Sequence, residues 1–288
     1  MSLIPINEPQ EPEVEPKIFY LYGGTMSGKS FTAMQFPEPL VLNTDGNGKK
    51  FSAPSIDITP DREMVTKKIK VTETDKKTGV EKLVTKTVKS YDIITPTHEK
   101  IDKVLGELAV YQQTSKKPYR TLVIDVVDDI ANSEQEFVLQ YFNQFKKSDK
   151  IADYEYIGDI PHAGGWGRFN DFFRTIIRII REFGNGIEYI VFISRQVDRG
   201  SDDMPDYKPA IREGLVNEIN GFGDMMIHCQ KLGKNYSRSV KYTRNADFES
   251  SHIQNEQVLE VLKNTRNALI DYDGKGNKKE DKKKVGKK

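Results

Sequence analysis

Three observations predict an α/β fold with a largely parallel sheet flanked by helices. First, short unbroken apolar runs rich in β-branched residues recur at Leu40-Val41-Leu42, Thr121-Leu122-Val123-Ile124-Asp125 and Ile190-Val191-Phe192-Ile193, the mark of strands buried on both faces. Second, helical periodicity falls between them, clearest at Phe169, Phe172, Phe173, Ile176, Ile177, Ile180 and Phe183. Third, 288 residues with 36% apolar and 30% charged content make a globular composition able to bury a large core.

Taken in order, residues 1–16 are too dense in Pro and Glu to pack and read as a flexible arm. A strand follows at Lys17–Tyr22, then a Gly-rich turn and a short helix from Lys29 that stops before Pro37. The second strand, Leu40–Leu42, runs into the turn chemistry of Asn43-Thr44-Asp45-Gly46. From about 61 to 95, β-branched residues alternate with Lys and Glu around the turn signal Thr74–Gly79, which predicts an inserted hairpin with one wet face. The pattern then gives a helix from about Thr97 to Gln112, the strand Thr121–Asp125, a helix from about Ile130 to Phe145 and a long loop, Asp149–Gly167. The helix Phe169–Phe183, the strand Glu188–Ser194, the loop Asp198–Pro209, a helix over Ile211–Ile219 and a strand over Asp224–Gln230 complete the domain. That domain is expected to span 17–262, with a basic, disordered tail at 263–288.

Charge and composition narrow the function classes. Net charge is +1, yet Gly274–Lys288 holds eight Lys against Glu280 and Asp281, so the rest of the chain is net acidic and is not a general nucleic-acid-binding surface. No apolar run approaches the length of a membrane span, and no secretory pattern opens the chain. The lone Cys229 fits a reducing compartment, so a cytoplasmic location is expected. His98, His162, His228 and His252 lack zinc-ligand spacing.

The chemistry is concentrated in Gly23-Gly24-Thr25-Met26-Ser27-Gly28-Lys29-Ser30, which matches G-x-x-x-x-G-K-[ST] between an apolar strand and a helix. Glycines let successive backbone N–H groups curl around phosphate oxygens, and the following helix adds its positive end. The cradle predicted for ATP is Gly23 to Phe31, with Lys29 on the β- and γ-phosphates and Ser30 on Mg²⁺. Asp125, ending a buried strand about a hundred residues on, is the candidate for holding the Mg²⁺ from the other side. Asp128 and Asp129 read as N-caps of the next helix.

Beyond the cradle, Leu42-Asn43-Thr44-Asp45-Gly46 resembles the Asp-Thr-Glu-Gly strand end of the RecA/RadA recombinase superfamily, and Arg195-Gln196-Val197 resembles its Asn-Gln-Val turn. More narrowly, the chain is similar to phage-encoded RecA-like P-loop proteins, which include AAA-type ATPases of the Sak-type single-strand annealing group. This resemblance covers roughly residues 17–235. It implies that Asp45 orients the attacking water, although Asp stands where recombinases carry Glu, and that Gln196 senses the γ-phosphate, with Arg195 where Asn is usual. It further implies ATP-dependent action on single-stranded DNA in recombination or replication, a ring or filament of identical subunits, a single-stranded-DNA-binding protein as a possible partner, and the host cytoplasm as location if phage-encoded. The loop Asp198–Pro209, with Arg199, Tyr207 and Lys208, falls where such proteins carry DNA-binding loops. Two other readings stay open: a small-molecule P-loop kinase, and a non-hydrolysing ATP-gated scaffold for replication proteins.

Overall fold

Along the strand Ile18–Gly23 (β1) of the computed structural model, Phe19 and Leu21 enter one apolar cluster while Tyr20 and Tyr22 enter another. All four are at most 3% exposed, so the two-residue period of the strand feeds two cores, one on each face of the sheet. The structure describes residues 15–46, 48, 52–76, 78–146, 152–201, 203–245 and 248–279. Most of the expected arm (1–14), the beginning of the loop expected from Asp149, and the Lys-rich end from 280 lie outside these residues.

The helix Lys29–Ala33 (α1) follows β1, and the strands Pro39–Asn43 (β2) and Ser55–Asp57 (β3) come next. The hairpin Asp61–Thr74 (β4) and Glu81–Thr95 (β5) forms its own two-stranded sheet, as its alternation predicts. The helix Thr97–Thr114 (α2), the strand Thr121–Asp125 (β6) and the helices Val127–Gln144 (α3) and Gly164–Glu182 (α4) lead to the strand Tyr189–Asp198 (β7). Then come Tyr207–Pro209 (β8), the helix Glu213–Asn220 (α5), Met225–Leu232 (β9), Asn235–Thr243 (β10) and the helix Glu256–Lys263 (α6). The main sheet runs β10-β9-β1-β7-β6-β2-β3, parallel throughout except for the antiparallel edge strand β10, and β8 pairs antiparallel with the outer end of β7. This is the mainly parallel, helix-flanked α/β fold that the buried strands predict.

One face is covered by α2, α3, α4 and α5, which bring Ile101, Val138, Phe173, Ile177 and Ile219 onto Tyr20, Leu122 and Phe192. The other is covered by α1, α6 and the chain after it, with Ala33, Phe36, Val258, Leu262 and Leu269 on Phe19, Val123 and Val191. The expected start of a disordered tail at 263 is corrected here. Thr265, Ala268 and Leu269 are at most 4% exposed, and Arg266 bridges to Ser239 of β10, so 263–279 closes the second core. Ala268, Leu269 and the partly buried Tyr272, with no helical repeat among them, were enough to pack, and the Lys count hid them.

One boundary moves and one strand is added. Helix α4 begins at Gly164, where the approach of Gly165 to Ile157 leaves no room for a side chain (a Cβ would lie 2.4 Å from its carbonyl), so the last turn of the expected loop is helical. Strand β10, absent from the expected elements, has no fully buried residue and is mostly polar, which hides its alternation. The hairpin is anchored at its base: Gln140 of α3 both accepts from the Ile93 N–H (2.7 Å) and donates to the Ile93 carbonyl (3.0 Å). Among the described residues no helix is long and apolar enough to cross a membrane.

Candidate functional site

Strand register brings four strand ends to one edge of the sheet. Gly23 lies opposite Arg195, Ile193 opposite Asp125, and Asp125 opposite Asn43. The carboxyl ends of β1, β7, β6 and β2 therefore present Gly23-Gly24, Arg195-Gln196, Asp125 and Thr44-Asp45 together, the edge where open parallel sheets take ligands.

The loop between β1 and α1 is shaped by two constraints. Gly28 has φ +87°, a left-handed conformation that favours glycine, and Met26 is also left-handed at φ +59°. Gly23 is fixed by crowding instead: a Cβ there would lie 2.1 Å from the carbonyl oxygen of Cys229 on the neighbouring β9. Lys29, 8% exposed, folds back into this loop and donates from Nζ to the carbonyls of Gly23 (2.8 Å) and Gly24 (2.7 Å). Burial pulls its ammonium pKa below the ordinary lysine value, while nearby groups led by Cys229 and Asp125 oppose that shift. Ser27 is 4% exposed and its Oγ makes no hydrogen bond among the described residues. Thr25, Met26 and Phe31 stand exposed on the rim.

Across the gap left by β7, Ser30 Oγ donates to Asp125 Oδ2 at 2.5 Å. Burial pushes the Asp125 carboxyl pKa upward; the Ser30 hydrogen bond opposes this, the charge of Asp45 adds to it, and Lys29 and Arg195 pull it down. Asp45 itself is exposed at the end of β2, close enough for its charge to be felt at Asp125. The preceding Thr44 holds that corner: its N–H donates to the Asp125 carbonyl (2.9 Å), and its Oγ1 accepts from the Val126 N–H (2.8 Å).

Asp128 and Asp129 do not cap α3 as expected. The N-cap position is Val126, without a side-chain cap. Asp128, 4% exposed, accepts from Ser194 Oγ (2.7 Å) and the Arg195 N–H (2.6 Å), and burial raises its pKa. Asp129 takes the Arg195 guanidinium in a two-pronged pair, 2.6 Å from Nη1 and 2.8 Å from Nη2. The end of β7 is thus locked by two acids from α3, a linkage whose sequence trace is the Asp-Val-Val-Asp-Asp run. Gln196 is held from the other side. Its Oε1 lies 2.9 Å from Nε2 of His228, and its Nε2 lies 3.6 Å from where a Cβ on Gly24 would sit, so the amide borders the phosphate loop. His228, 2% exposed and stacked on Tyr22 at 4.6 Å, has its pKa lowered to about 4, first by burial and then by Lys241.

The structure therefore brings Gly23, Gly24, Gly28, Lys29, Ser30, Asp125 and Gln196 together, with Asp45 on the Asp125 side. Other conspicuous side chains lie away from this edge. Trp166 sits in the first turn of α4, packed edge-on to Phe169 with the Arg212 guanidinium 4.1 Å from its ring centre. The Arg174 and Arg181 side chains pair with Glu218 and Glu182 on the solvent side of α4.

No group of three His, Cys, Asp or Glu side chains is gathered for a metal among the described residues. A hydroxyl and a carboxylate oxygen converging at Ser30 and Asp125 is instead the donor set for a hard cation that keeps water and phosphate oxygens as its other ligands. The site fits Mg²⁺ with a nucleotide: its left-handed glycine turn curls around a buried ammonium, and the buried Ser27 Oγ of the same loop has no partner among the described residues.

Comparison with known families gives a match to the family model described as an AAA domain over residues 15–253. No curated protein matches the chain.

Proposed function

The chain belongs to the AAA domain family of P-loop, ATPase-type nucleotide-binding domains, and from that premise we propose that it is an Mg²⁺-dependent ATPase whose turnover serves DNA recombination or replication on single strands. One observation carries the nucleotide half of this reading: Ser30 and Asp125, 95 residues apart, meet at 2.5 Å beside a buried Lys29 inside a glycine turn.

In this reading Lys29 exchanges the Gly23 and Gly24 carbonyls for the β- and γ-phosphates, and the loop N–H groups hold the same anions. Ser30 and Asp125 hold the cation that, when bound, neutralises phosphate charge in the transition state. Asp45 orients the attacking water from the open end of β2. Gln196 reaches the terminal phosphate from β7, with His228 fixing its amide and the Arg195–Asp129 pair fixing the backbone beneath it. The DNA half is supported by the resemblance of the Asn43–Gly46 and Arg195–Val197 strand ends to recombinases. An oligomeric ring or filament, and a single-stranded-DNA-binding protein as partner, belong to the same proposal.

Phosphate release is measured with Mg²⁺-ATP, with and without single-stranded DNA, for the native chain, Lys29→Ala and Asp45→Asn. Turnover that DNA stimulates, that vanishes in Lys29→Ala and that falls at least ~100-fold in Asp45→Asn with ATP affinity kept, supports the proposal. ATP binding without phosphate release in any condition contradicts it and favours a non-hydrolysing scaffold. Turnover indifferent to DNA removes the DNA half alone.

A further inference from the structure

The groups that would meet the terminal phosphate and the cation all lie on one side of β1: Gln196 on β7, Asp125 on β6 and Asp45 after β2. Given the nucleotide reading above, on which this inference rests, the other end of an extended nucleotide must leave the cradle on the opposite side, over β9 and β10. There the ring of Tyr236 borders the last glycine of the loop. A Cβ built on Gly28 would lie 3.3 Å from Tyr236 Cδ1 and 3.7 Å from Cε1, yet the residue is 60% exposed. Burial in this fold does not account for an aromatic at that place, since its contact with the core is slight.

Tyr236 is also held in position. Strand β10 is paired to β9, which is paired to β1 with Cys229 opposite Gly23, so the sheet fixes the distance from Tyr236 to the phosphate loop. Lys231, its cross-strand partner, places Nζ 5.5 Å from the ring centre. Arg238, two residues along and so on the same face, reaches Gln35 just beyond α1, its Nη1 3.3 Å from Oε1.

We propose that Tyr236 is the nucleoside-recognition residue of this site, its exposed ring stacking on the purine base of the bound nucleotide. Stacking needs a π-face and no particular edge pattern, so the residue would favour nucleotides over bare polyphosphate while discriminating weakly between adenine and guanine.

Calorimetric titration with Mg²⁺-ATP and with Mg²⁺-tripolyphosphate, on the native chain, Tyr236→Ala and Tyr236→Phe, separates the possibilities. The expected result is a loss of about ten-fold or more in ATP affinity for Tyr236→Ala, with tripolyphosphate affinity unchanged and Tyr236→Phe close to native for both. Should the Ala variant fail to fold, Tyr236→Leu supplies the same comparison without a π-face. Unchanged ATP affinity in the Ala variant overturns the inference. So does an equal loss for both ligands, which would mean that Tyr236 only props Gly28. A native chain that binds neither ligand overturns the nucleotide reading itself, and the inference with it.

Discussion

Ser30 Oγ donates to Asp125 Oδ2 at 2.5 Å, joining the first turn of the helix after the glycine loop to the end of a strand two positions away in the sheet. The contact crosses over β7 and sets the width of the gap in which a cation would sit. Asp125→Asn keeps the shape and an oxygen acceptor for Ser30 but removes the charge that a hard cation requires. ATP affinity in the presence of Mg²⁺ is expected to fall about ten-fold or more, affinity measured with EDTA to change little, and turnover to be lost. Isothermal titration with and without Mg²⁺ checks this, and equal losses in both conditions would contradict the assignment.

Asp128 is the buried clamp of the end of β7, and it binds through two short hydrogen bonds. Asp128→Ala leaves the Arg195 N–H without its acceptor in a dry site, while the Ser194 hydroxyl falls back on the Arg195 carbonyl, a cost of about 1–3 kcal/mol. The Arg195–Asp129 pair is different, because Arg195 is 43% exposed, and exposed pairs contribute at most about 1 kcal/mol. Denaturant unfolding should therefore show Asp128→Ala clearly less stable and Arg195→Ala nearly native. Arg195→Ala should instead lower ATP turnover, since the backbone that carries Gln196 loses its tether.

His228 gives the fold a pH dependence with a defined sign. Its pKa is about 4 in the folded chain against about 6.5 when unfolded, so the unfolded state takes up the proton first. The stabilisation from neutral His228 is complete above pH 6.5 and is lost as pH falls from there through 4. Asp125 and Asp128, with raised pKa values, favour the folded chain as pH falls, so the His228 contribution is read as a difference between the native chain and His228→Gln. Melting curves from pH 7.5 to 4 should show the native chain losing more stability than the variant, by on the order of 2–3 kcal/mol. Parallel curves would mean that His228 is not buried as a neutral base.

What the sequence shows and hides follows from range. Periodicity is local, so the two-faced β1, the apolar face of α4 and the Asp61–Thr95 hairpin are all legible from neighbouring residues. The glycine, lysine and serine of the phosphate loop are legible because their spacing is fixed by one turn of backbone. The Arg195–Asp129 pair spans 66 residues and the His228–Gln196 contact 32, and nothing local marks either side chain. Asp128 and Asp129 mislead for the same reason: acids at a helix start are good caps, and only the neighbouring strand gives them another use. Leu269, in a stretch dominated by Lys and Asn, becomes a core residue only because α6 and β10 pass beside it.

Titration of the native chain and of Lys29→Ala with Mg²⁺-ATP tests the central claim most directly. The account predicts saturable one-to-one binding by the native chain and a loss of at least about ten-fold, the worth of one charge-assisted contact to phosphate, in the variant. No heat with the native chain, or equal affinity in both, would show that the glycine loop and its buried ammonium do not hold a triphosphate.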